Sequence, residues 1–597
     1  FFQAEDGIRD SVASRGRGDV YKRQIPKFDK DDDGILDKAE RSAARKYVDE
    51  QRSGDGGGDR GQRRGRPSRP DGDRGGRPSS RGDRGARPDS RDGRGRPAPE
   101  PRDFSKAERL EPGNDKDLGT KLYDEGTLRT LFITFKDNEW KEEMEAFYRT
   151  DVAVPADLTV DGKLYKNVGL KFRGNSSYFS VAPGLKRSMN LYLDHKHSDQ
   201  RLLGYKTLNL LNSNSDPTFM REVIYSHVAR NYIPAFKGNF VKVVINGESW
   251  GVYSHIQQYN KDFLEDNFGT RDGVRWKIGA GGGGRGNLRY PGEKKEDYTG
   301  FQQRTEGKGE AWKELEQFTK LLDETPVEEL AAKLNGRFDI DSAMWSLALE
   351  CVFQDEGYFT RGSDYNLYLD PDGRFHLLQH DGNEVMNIPG GPGMPSGLSG
   401  PELEPFYNAD NPDRPLMYKL FQVPHFKARY RHHLKTITEE WITWDKIGPL
   451  VEGYAALIRD EVKKDVRKHS SSEAFEKGII QTSSDGRRTK LGLKPFTIGR
   501  REFLLNHPEV NLPAPKIVSV TELDEAKSTD STRIAAKTTG ETMAKTIVLW
   551  FADGKNEPYK QRAMQSDGQA GVGVFTANIP AQLAGKKIRY YVEARSV

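Results

Sequence analysis

Apolar and polar residues alternate along several short stretches of the chain, with the two-residue period of a half-buried β-strand. Three of these stretches are 128–135, 168–174 and 188–194. Residues 239–258 contain two more, joined by an Asn-Gly dipeptide that is typical of a tight hairpin turn. The pattern predicts a run of antiparallel strands.

A period near 3.6 residues replaces this alternation elsewhere, and it predicts helices at 218–232, 310–323, 341–353 and 430–468. A run of strands followed by a mostly helical part is typical of the α+β fold class. We therefore predict one α+β domain over 118–512.

The last part of the chain, 513–597, has short alternating stretches at 546–554, 571–581 and 586–594. Gly and polar turns separate them, so we predict a small β-sandwich of the immunoglobulin or fibronectin type. The alternation is still running where the sequence stops, and we expect this sandwich to be truncated.

Composition identifies a segment that cannot build a core. The 597 residues are 34% apolar and 31% charged, with a net charge of +4. Residues 51–102 hold 15 Arg and 8 acidic residues, so this Gly- and Pro-rich stretch carries +7 and the rest of the chain −3. We predict a disordered linker over 51–117. The nearly neutral remainder, and the absence of aromatic residues from 51–102, argue against nucleic-acid binding.

Several protein classes are excluded or disfavoured by simple counts. The single cysteine, Cys351, excludes an internal disulfide framework and a cysteine-based zinc site. No apolar run reaches about 18 residues, so no transmembrane segment is predicted. Residues 1–24 closely resemble translated sequencing-adapter sequence, and we interpret them as an artefact. An export signal would then belong to a missing native N-terminus.

Residues 29–40, DKDDDGILDKAE, have the spacing of an EF-hand calcium loop, and we assign 25–50 to this unit. A Gly at the sixth position allows a sharp turn, so that the oxygen ligands surround one Ca²⁺ ion. The predicted ligands are Asp29, Asp31, Asp33, Asp37 and Glu40, with the backbone carbonyl of Ile35. The alternative is a solvated acidic turn.

A second acidic group stands at the end of a predicted hairpin over 366–384, whose turn is Asp-Pro-Asp-Gly. Asp355 precedes this hairpin in a loop, Asn366 begins its first strand, and Asp381 ends its second. A base aspartate, a metal-side asparagine and a hairpin leading to a metal-binding aspartate occur in this order in protein kinases.

Five motifs along the chain carry a family resemblance. They are LKFRGNSS (170–177), GLKRSMNLYLD (184–194), MREVIYSHVAR (220–230), VKVVINGESWGVYSHIQQYNKDFL (241–264) and DYNLYLDPDGRFHLLQHDGN (364–383). With these motifs, the region 128–470 resembles the spore coat protein H (CotH) kinase family. The resemblance covers more than half of the chain and implies an atypical protein-kinase-like fold.

The resemblance also implies roles for individual residues. Asp355 would be the catalytic aspartate. The side chains that hold Mg²⁺ or Mn²⁺ would be Asn366, Asp381 and Asn383. The side chains on the nucleotide side would be Lys186, which contacts the phosphates of ATP, with Arg173 and Gln257.

Two positions depart from the family pattern. Gln257 stands where the family commonly has a glutamate, so an amide that can still hydrogen-bond Lys186 replaces one partner of an ion pair. Asn383 stands where the family's Trp-Asp-x-Asp motif has its second acid. One negative charge is therefore lost, unless Glu384 supplies it.

The resemblance implies a metal-dependent kinase that transfers the γ-phosphoryl group of ATP to Ser or Thr of secreted or cell-envelope proteins, or to itself. The two departures favour an alternative, a non-catalytic surface-binding or assembly protein on the same fold. A hydrolase that pairs the carboxylates of Asp355 and Asp381 is a third possibility, for which the sequence fixes no separation.

Overall fold

The structure is a computed structural model, and the residues it describes fall into several ranges. They are 24–54, 102–113, 118–279, 286–305, 310–379, 381–389, 398, 400–484, 489–522, 530–539, 542–554, 557–566, 573–582, 585 and 587–596. The predicted artefact up to residue 23, most of the predicted linker and His380 lie outside the described residues.

Two helices flank the predicted calcium loop, α1 (Ile25–Phe28) and α2 (Lys38–Gly54). The barrel that follows is built from seven strands and three helices. In chain order these are β1 (Arg129–Thr134), α3 (Trp140–Ala146), β2 (Val154–Val160), β3 (Lys163–Phe172), α4 (Ser176–Phe179), β4 (Met189–Tyr192), β5 (Thr207–Leu211), α5 (Arg221–Ala229), β6 (Gly238–Ile245) and β7 (Glu248–Gln257).

The strand order of the barrel is β1-β2-β3-β4-β5-β7-β6, and it closes where β6 runs parallel to β1. All the other neighbours are antiparallel, and two-residue turns connect β2 to β3 and β6 to β7. At the predicted hairpin turn between β6 and β7, Asn246 and Gly247 have φ values of 50° and 77°. These left-handed conformations are the ones that a tight hairpin turn needs.

The N-terminal helices share the core of the barrel. Leu36 and Ala44 are buried in the same apolar cluster as the barrel strands. Arg41 forms an ion pair with Glu143 of α3 at 3.2 Å, and both side chains are buried. The calcium loop is therefore fixed against the barrel through the helix that follows it.

Residues 102–113 also differ from the predicted linker. The Leu110 N–H donates to the Gly247 carbonyl at 2.9 Å, and the Ser249 N–H donates to the Glu108 carbonyl at 2.9 Å. The hairpin of β6 and β7 gives this segment backbone hydrogen bonds that composition could not reveal, so the linker is shorter than predicted.

The helical part contains a second antiparallel sheet and most of the helices. Its elements are α6 (Lys261–Phe268), β8 (Val274–Ile278), β9 (Phe301–Gln303), α7 (Ala311–Glu324), α8 (Val327–Leu334), α9 (Ile340–Phe353), α10 (Tyr358–Arg361), β10 (Tyr365–Leu369), β11 (Phe375–Gln379), α11 (Pro415–Leu420), α12 (Pro424–Glu440), α13 (Trp444–Lys464), α14 (Ser472–Ile480), β12 (Ser483–Ser484), β13 (Thr489–Lys490) and α15 (Leu493–Asn506). The sheet has the order β11-β10-β8-β9.

The predicted helix at 430–468 is two helices, α12 and α13. The hydroxyl of Thr443 accepts a hydrogen bond from the Lys446 N–H at 3.1 Å and so caps the start of α13. The apolar period continues from α12 into α13, so the break between the two helices could not be predicted from it. Within the part of the chain that the structure describes, no helix combines the length and apolar character of a membrane span.

Seven strands follow the helical part and form two small antiparallel sheets, which we call the terminal sheets. They are β14 (Lys516–Val520), β15 (Thr532–Thr539), β16 (Thr546–Ala552), β17 (Lys560–Ala563), β18 (Gln565–Ser566), β19 (Gly573–Ile579) and β20 (Arg589–Arg595). One sheet has the order β14-β15-β19-β18, the other β17-β16-β20. Both contribute to one apolar core that includes Ile534, Leu549 and Phe575. The chain thus mixes helices and antiparallel sheets, in agreement with the predicted α+β class.

Candidate active site

The hairpin of β10 and β11 brings two aspartates to its open end. Tyr365 pairs with Gln379 as the last pair of the ladder, so Asp364 and Asp381 lie just beyond the two paired strands. Both are non-glycine residues with positive φ, 56° for Asp364 and 66° for Asp381. Such conformations cost free energy and cluster at functional sites.

Asp381 lies among charged groups of both signs. Burial and the negative charges of Asp364 and Glu384 raise the pKa of its carboxyl to about 6, while Lys277 and Arg173 oppose this shift. Its side chain nevertheless remains exposed. A carboxylate that is close to other charges and still reached by solvent can exchange its water for a ligand.

Two side chains from the barrel face Asp381. Arg173 directly follows β3, and Glu222 lies in the first turn of α5. Burial and the nearby Asp381 raise the pKa of the Glu222 carboxyl to about 8, and Arg173 partly offsets this. The charged cluster therefore spans the junction between the barrel and the second sheet.

Lys277 supplies a second cation from β8. It pairs with Asn366 across the sheet and is half-buried. Burial and the positive charges of Arg304 and Arg173 lower the pKa of its ammonium to about 8, although Asp381 and Asp364 raise it. A desolvated cation beside carboxylates is suited to binding an anionic group such as a phosphate.

Asn366 is buried in β10, and its amide is already oriented by the protein. Its Oδ1 accepts a hydrogen bond from Arg275 Nη1 at 2.8 Å. Its Nδ2 is buried and has no hydrogen-bond partner among the described residues. Turning the amide over would place Nδ2 against the Arg275 guanidinium, so Arg275 keeps the carbonyl oxygen away from a metal.

Asp355 follows α9 and is almost completely buried. Gln354 ends the helix with a φ of 54°, which reverses the chain so that the Asp355 N–H donates to the Glu350 carbonyl at 2.8 Å. Burial, and then the Glu350 carboxyl, hold the pKa of Asp355 well above its usual range, and Asp381 contributes in the same direction. Its Oδ2 makes no hydrogen bond of ordinary geometry with a described residue, although the buried Tyr225 hydroxyl lies near the same carboxyl.

Glu350 is a buried carboxyl that the sequence did not single out. The Phe359 N–H donates to its Oε2 at 2.6 Å, and burial raises its pKa to about 8. Gly357 lies directly against it, since a Cβ there would come within 2.7 Å of the carboxyl. Glu350 thus supports the loop that presents Asp355.

Lys186 lies outside the cluster around Asp381. Its ammonium donates to Asp465 Oδ2 at 2.6 Å and to the Val252 carbonyl, and neither side chain of the ion pair is exposed. None of its contacts among the described residues is with Arg173, Asp355 or Asp381. Two of the three N–H donors of this ammonium are thus used, and its side chain is fully buried.

Gln257 does not hydrogen-bond Lys186 as expected. Its Nε2 donates to Asp266 Oδ2 at 2.7 Å, and its Oε1 accepts the Lys237 N–H at 3.2 Å. The reason is its position at the end of β7, where its side chain meets α6 instead of the Lys186 loop.

Asn383, the third predicted metal residue, lies in a short 3-10 turn, Gly382–Glu384, that follows Asp381. It is half-buried and has no side-chain hydrogen bond among the described residues. Its neighbour Glu384 acts on the pKa of Asp381, so the additional negative charge comes from Glu384.

The structure therefore brings together Arg173, Asp355 and Asp381 of the predicted site, and adds residues that sequence reasoning missed. The added residues are Glu222, Lys277, Glu350 and Asp364. Two of them carry a signal in the sequence, because Glu222 lies in MREVIYSHVAR and Asp364 begins DYNLYLD. Lys277 and Glu350 lie outside the quoted motifs, and only the folded chain reveals them.

The cluster fits a divalent cation that retains part of its water shell. Mg²⁺ is commonly held by one or two carboxylates and by substrate phosphates, with several waters retained. Asp364 and Glu384 repel the carboxylate of Asp381, but the three carboxylates do not converge within 4.8 Å as those of the calcium loop do, so a cation here would contact one or two of them. Asn366 fits less well, because Arg275 occupies its carbonyl oxygen.

The calcium loop is the one place in the described residues where three acidic side chains converge closely. Ligand oxygens of Asp29, Asp31 and Glu40 lie within 4.8 Å of one another. Gly34 has a φ of 83°, as the sharp turn requires, and its N–H donates to Asp29 Oδ2 at 2.9 Å. Asp33 pairs instead with Lys196, which follows β4. The carboxylate of the predicted ligand Asp37 accepts the Glu40 N–H at 2.8 Å, and the Ile35 N–H donates to Asp33 Oδ1 at 3.0 Å.

Comparison with known proteins agrees with these observations. A search of curated proteins finds no match to the chain. The sequence profile described as CotH kinase protein matches residues 170–501, which begin in β3 beside Arg173 and end in α15, and therefore include the barrel wall, the hairpin and Asp355. Because this match covers more than half of the 597 residues, the chain belongs to the CotH kinase family.

Proposed function

We propose that the protein is an atypical protein kinase, on a kinase-like fold, that transfers the γ-phosphoryl group of ATP to Ser or Thr hydroxyls of secreted or cell-envelope proteins. One observation carries this proposal. At the open end of the β10–β11 hairpin, Asp381 lies within electrostatic range of Asp364, Lys277 and Arg173, and it also acts on Asp355. Carboxylates for a metal, cations for phosphates and a buried carboxylate for the hydroxyl are the parts that phosphoryl transfer uses.

Asp355 is the residue that we assign to the hydroxyl of the substrate. Its Oδ2 can accept the hydroxyl hydrogen and orient the oxygen towards the γ-phosphorus. As the new P–O bond forms, the bond between the γ-phosphorus and the bridging oxygen of ADP breaks, and the hydroxyl proton passes to Asp355. The Glu356 N–H, which donates to Asp355 Oδ1 at 2.8 Å, holds the carboxylate in this orientation.

The metal and phosphate ligands follow from the same cluster. Asp381, with Asp364 and Glu384, would hold Mg²⁺ or Mn²⁺, which neutralises the charge of the phosphates when it is bound. Arg173 and Lys277 would contact the phosphates. Lys186, Gln257, Asn366 and Asn383 keep their roles only as predictions from the family resemblance.

In this proposal Ca²⁺ has a structural role and takes no part in phosphoryl transfer. The converging oxygens of Asp29, Asp31 and Glu40 would bind Ca²⁺ and fix α2 on the barrel. Extracellular calcium is abundant enough for a weak site of this kind, which agrees with a protein that acts outside the cytoplasm.

The test is transfer of labelled γ-phosphate from ATP to the protein itself and to a general acceptor such as casein. Asp355→Asn and Asp381→Asn should each lower the transfer rate by at least about a hundredfold. Asp372→Asn is the matched control, because Asp372 is an exposed residue in the turn of the same hairpin. The melting temperatures of all three variants should stay close to that of the wild type.

Equal transfer by wild type and Asp381→Asn would contradict the kinase proposal.

The second candidate is a non-catalytic binding or assembly protein, and the Arg275–Asn366 hydrogen bond favours it because it withdraws a metal-side oxygen. A calorimetric titration with ATP and Mn²⁺ separates the two candidates. Heat of binding that disappears in Lys277→Met supports the kinase, and no heat at millimolar nucleotide supports the second candidate.

A further inference from the structure

A cavity of about 370 Å³ lies between the helical part and the terminal sheets, away from the charged cluster. The helical part contributes Trp345 and Arg374, and the terminal sheets contribute Trp550, Tyr559 and Arg589. Arg374 follows the closed turn of the β10–β11 hairpin, whereas Asp364 and Asp381 lie at its open end. Five paired residues separate the two ends by roughly 17 Å, so this cavity is distinct from the candidate active site.

The two regions are held together directly beside the cavity. The side-chain amide of Asn335 donates to the Tyr559 carbonyl at 3.1 Å and accepts the Tyr559 N–H at 3.2 Å. Gly336 has a φ of 82°, and a Cβ there would lie 3.2 Å from Pro558. These contacts are specific to this arrangement of the two regions, so the cavity between them has a defined shape.

Aromatic rings line the cavity in stacked pairs. Tyr232 stacks on Trp345 with ring centroids 4.4 Å apart, and Trp550 stacks on Tyr591 at 6.0 Å. Tyr559 meets Tyr591 edge to face at 5.1 Å. All five rings are only partly buried. Trp345 also stacks on His433 at 3.6 Å, so the partly exposed rings of Trp550, Tyr559 and Tyr591 are the ones that can pack against a flat apolar surface of a ligand.

The cationic groups of the cavity are not all neutralised. Arg374 is only 5% exposed, yet its guanidinium makes no hydrogen bond or ion pair with any described residue, and its Nε is a buried donor without an acceptor. Arg589 donates through Nε to the Gly554 carbonyl at 3.1 Å, but its buried Nη2 has no acceptor. Unsatisfied guanidinium donors that line a cavity can be satisfied by a bound anion or by water.

The acidic side chains of the cavity are already paired with other groups. Asp339 forms an ion pair with His376 at 3.3 Å, and Asp341 accepts from His433 Nε2 at 3.1 Å. Arg429 lies between Asp341 and Glu593, at 3.5 and 3.6 Å. Arg374 acts on Asp339 electrostatically, but neither Arg374 nor Arg589 is in ion-pair contact with a described carboxylate.

We propose that this cavity binds an acidic sugar, with its carboxylate or phosphate on Arg374 and Arg589 and its ring against the aromatic walls. The volume is far larger than a simple anion needs and suits a ligand that carries a ring. Carboxylate and phosphate both match the planar guanidinium, so either can supply the anionic group. The proposal is independent of the proposed kinase activity.

The test is isothermal titration calorimetry on the whole chain with glucuronate, glucose 6-phosphate, glucose and inorganic phosphate. We expect binding of glucuronate or of glucose 6-phosphate, and the tighter of the two identifies the anionic group. Arg374→Gln and Arg589→Gln should each raise the Kd by at least about tenfold. Arg562→Gln is the control and should leave the Kd unchanged, because Arg562 is an exposed arginine on β17 outside the cavity.

Arg589 is half-exposed, so Arg589→Gln should fold even if the replacement of buried Arg374 prevents folding. A melting curve of each variant shows whether it folds. Three results would each overturn the proposal: no binding of either acidic sugar, glucose binding as tightly as glucuronate, or inorganic phosphate binding as tightly as both acidic sugars. Unchanged affinity in a folded Arg374→Gln or Arg589→Gln would overturn it as well.

Discussion

Lys186 illustrates how one side chain can carry a family role and a structural role at once. Its ammonium lies 2.6 Å from Asp465, and both side chains are fully buried. Burial lowers the pKa of Lys186, and the charge and hydrogen bond of Asp465 oppose this. Asp465 also ends α13 and accepts the Arg467 N–H at 2.8 Å, so the pair fixes the helix against the barrel.

We expect Lys186→Met to lower the free energy of unfolding by about 3–5 kcal/mol, because it leaves the Asp465 carboxylate buried without a partner. The double variant Lys186→Met, Asp465→Leu should recover part of this loss, since no charge then remains buried. Urea unfolding followed by circular dichroism measures both values.

The control for this experiment is Lys477→Met. Lys477 pairs with Glu473 four residues earlier on the surface of α14, and such exposed pairs contribute little to stability. If Lys186→Met is no more destabilised than this control, the buried pair has no structural role. A large loss of stability would also mean that an inactive Lys186 variant says nothing specific about nucleotide binding.

Among the elements, those with local patterns could be predicted and those that depend on distant contacts could not. The spacing within residues 29–40 predicted the convergence of Asp29, Asp31 and Glu40, because one short loop contains all the ligands. The hairpin of β10 and β11 was predicted for the same reason. By contrast, the Arg275–Asn366 hydrogen bond joins residues 91 positions apart, and no local pattern indicates it.

In the candidate site too, residues within local motifs could be predicted, whereas contacts between distant parts of the chain could not. The family motifs indicated Asp355, Asp381 and Arg173, which the fold does bring near one another. The partners of Lys186 and Gln257 were wrongly expected to be each other. Asp465 lies 279 positions from Lys186 and reaches it only because α13 packs on β7. Long-range packing of helices on the barrel therefore decides which charges meet.

The calcium loop leads to a prediction that combines binding with stability. Because α2 shares the core of the barrel, Ca²⁺ bound before α2 should stabilise the barrel as a whole. At a Ca²⁺ concentration one hundred times the Kd, the gain is about 2.7 kcal/mol. We expect the melting temperature of the wild type to rise when Ca²⁺ replaces a chelator.

Glu40→Gln should abolish this rise, since it removes one of the converging carboxylates. Asp32→Asn is the matched control. Asp32 lies in the same loop at a position that supplies no ligand, and asparagine tolerates its φ of 56°. If Glu40→Gln responds to Ca²⁺ as the wild type does, the loop is a solvated acidic turn.

On the scale of the whole molecule, the β10–β11 hairpin connects two sites. Its open end carries Asp364 and Asp381, and its closed turn leads to Arg374 in the cavity beside the terminal sheets. The barrel reaches the same hairpin through Arg173 and Glu222. The protein therefore needs its barrel, helical part and terminal sheets in fixed relation if both sites are to form.

Glu125 is one of the side chains that hold the barrel and the helical part together. It precedes β1, and its carboxylate accepts hydrogen bonds from Tyr454 of α13 at 2.5 Å and from Arg230 directly after α5. His227 Nδ1 lies 2.7 Å from the same carboxylate. Burial raises the pKa of the Glu125 carboxyl, but the hydrogen bonds from His227, Tyr454 and Arg230 outweigh it and bring the pKa to about 2.

Because this pKa lies below the usual value of about 4.5, the stabilisation from Glu125 is fully present above pH 4.5 and disappears as the pH falls towards 2. After allowance for solvent screening it amounts to about 2 kcal/mol at pH 7. We expect Glu125→Gln to unfold more easily than the wild type at pH 7, and the difference to shrink steadily below pH 4.5.

The control is Glu502→Gln, because Glu502 is exposed in α15 and its replacement should leave stability unchanged at pH 7, 4.5 and 3. Urea unfolding at pH 7, 4.5 and 3 measures the difference, and a gap that stays constant down to pH 3 would show that the charge of Glu125 does not hold these regions together.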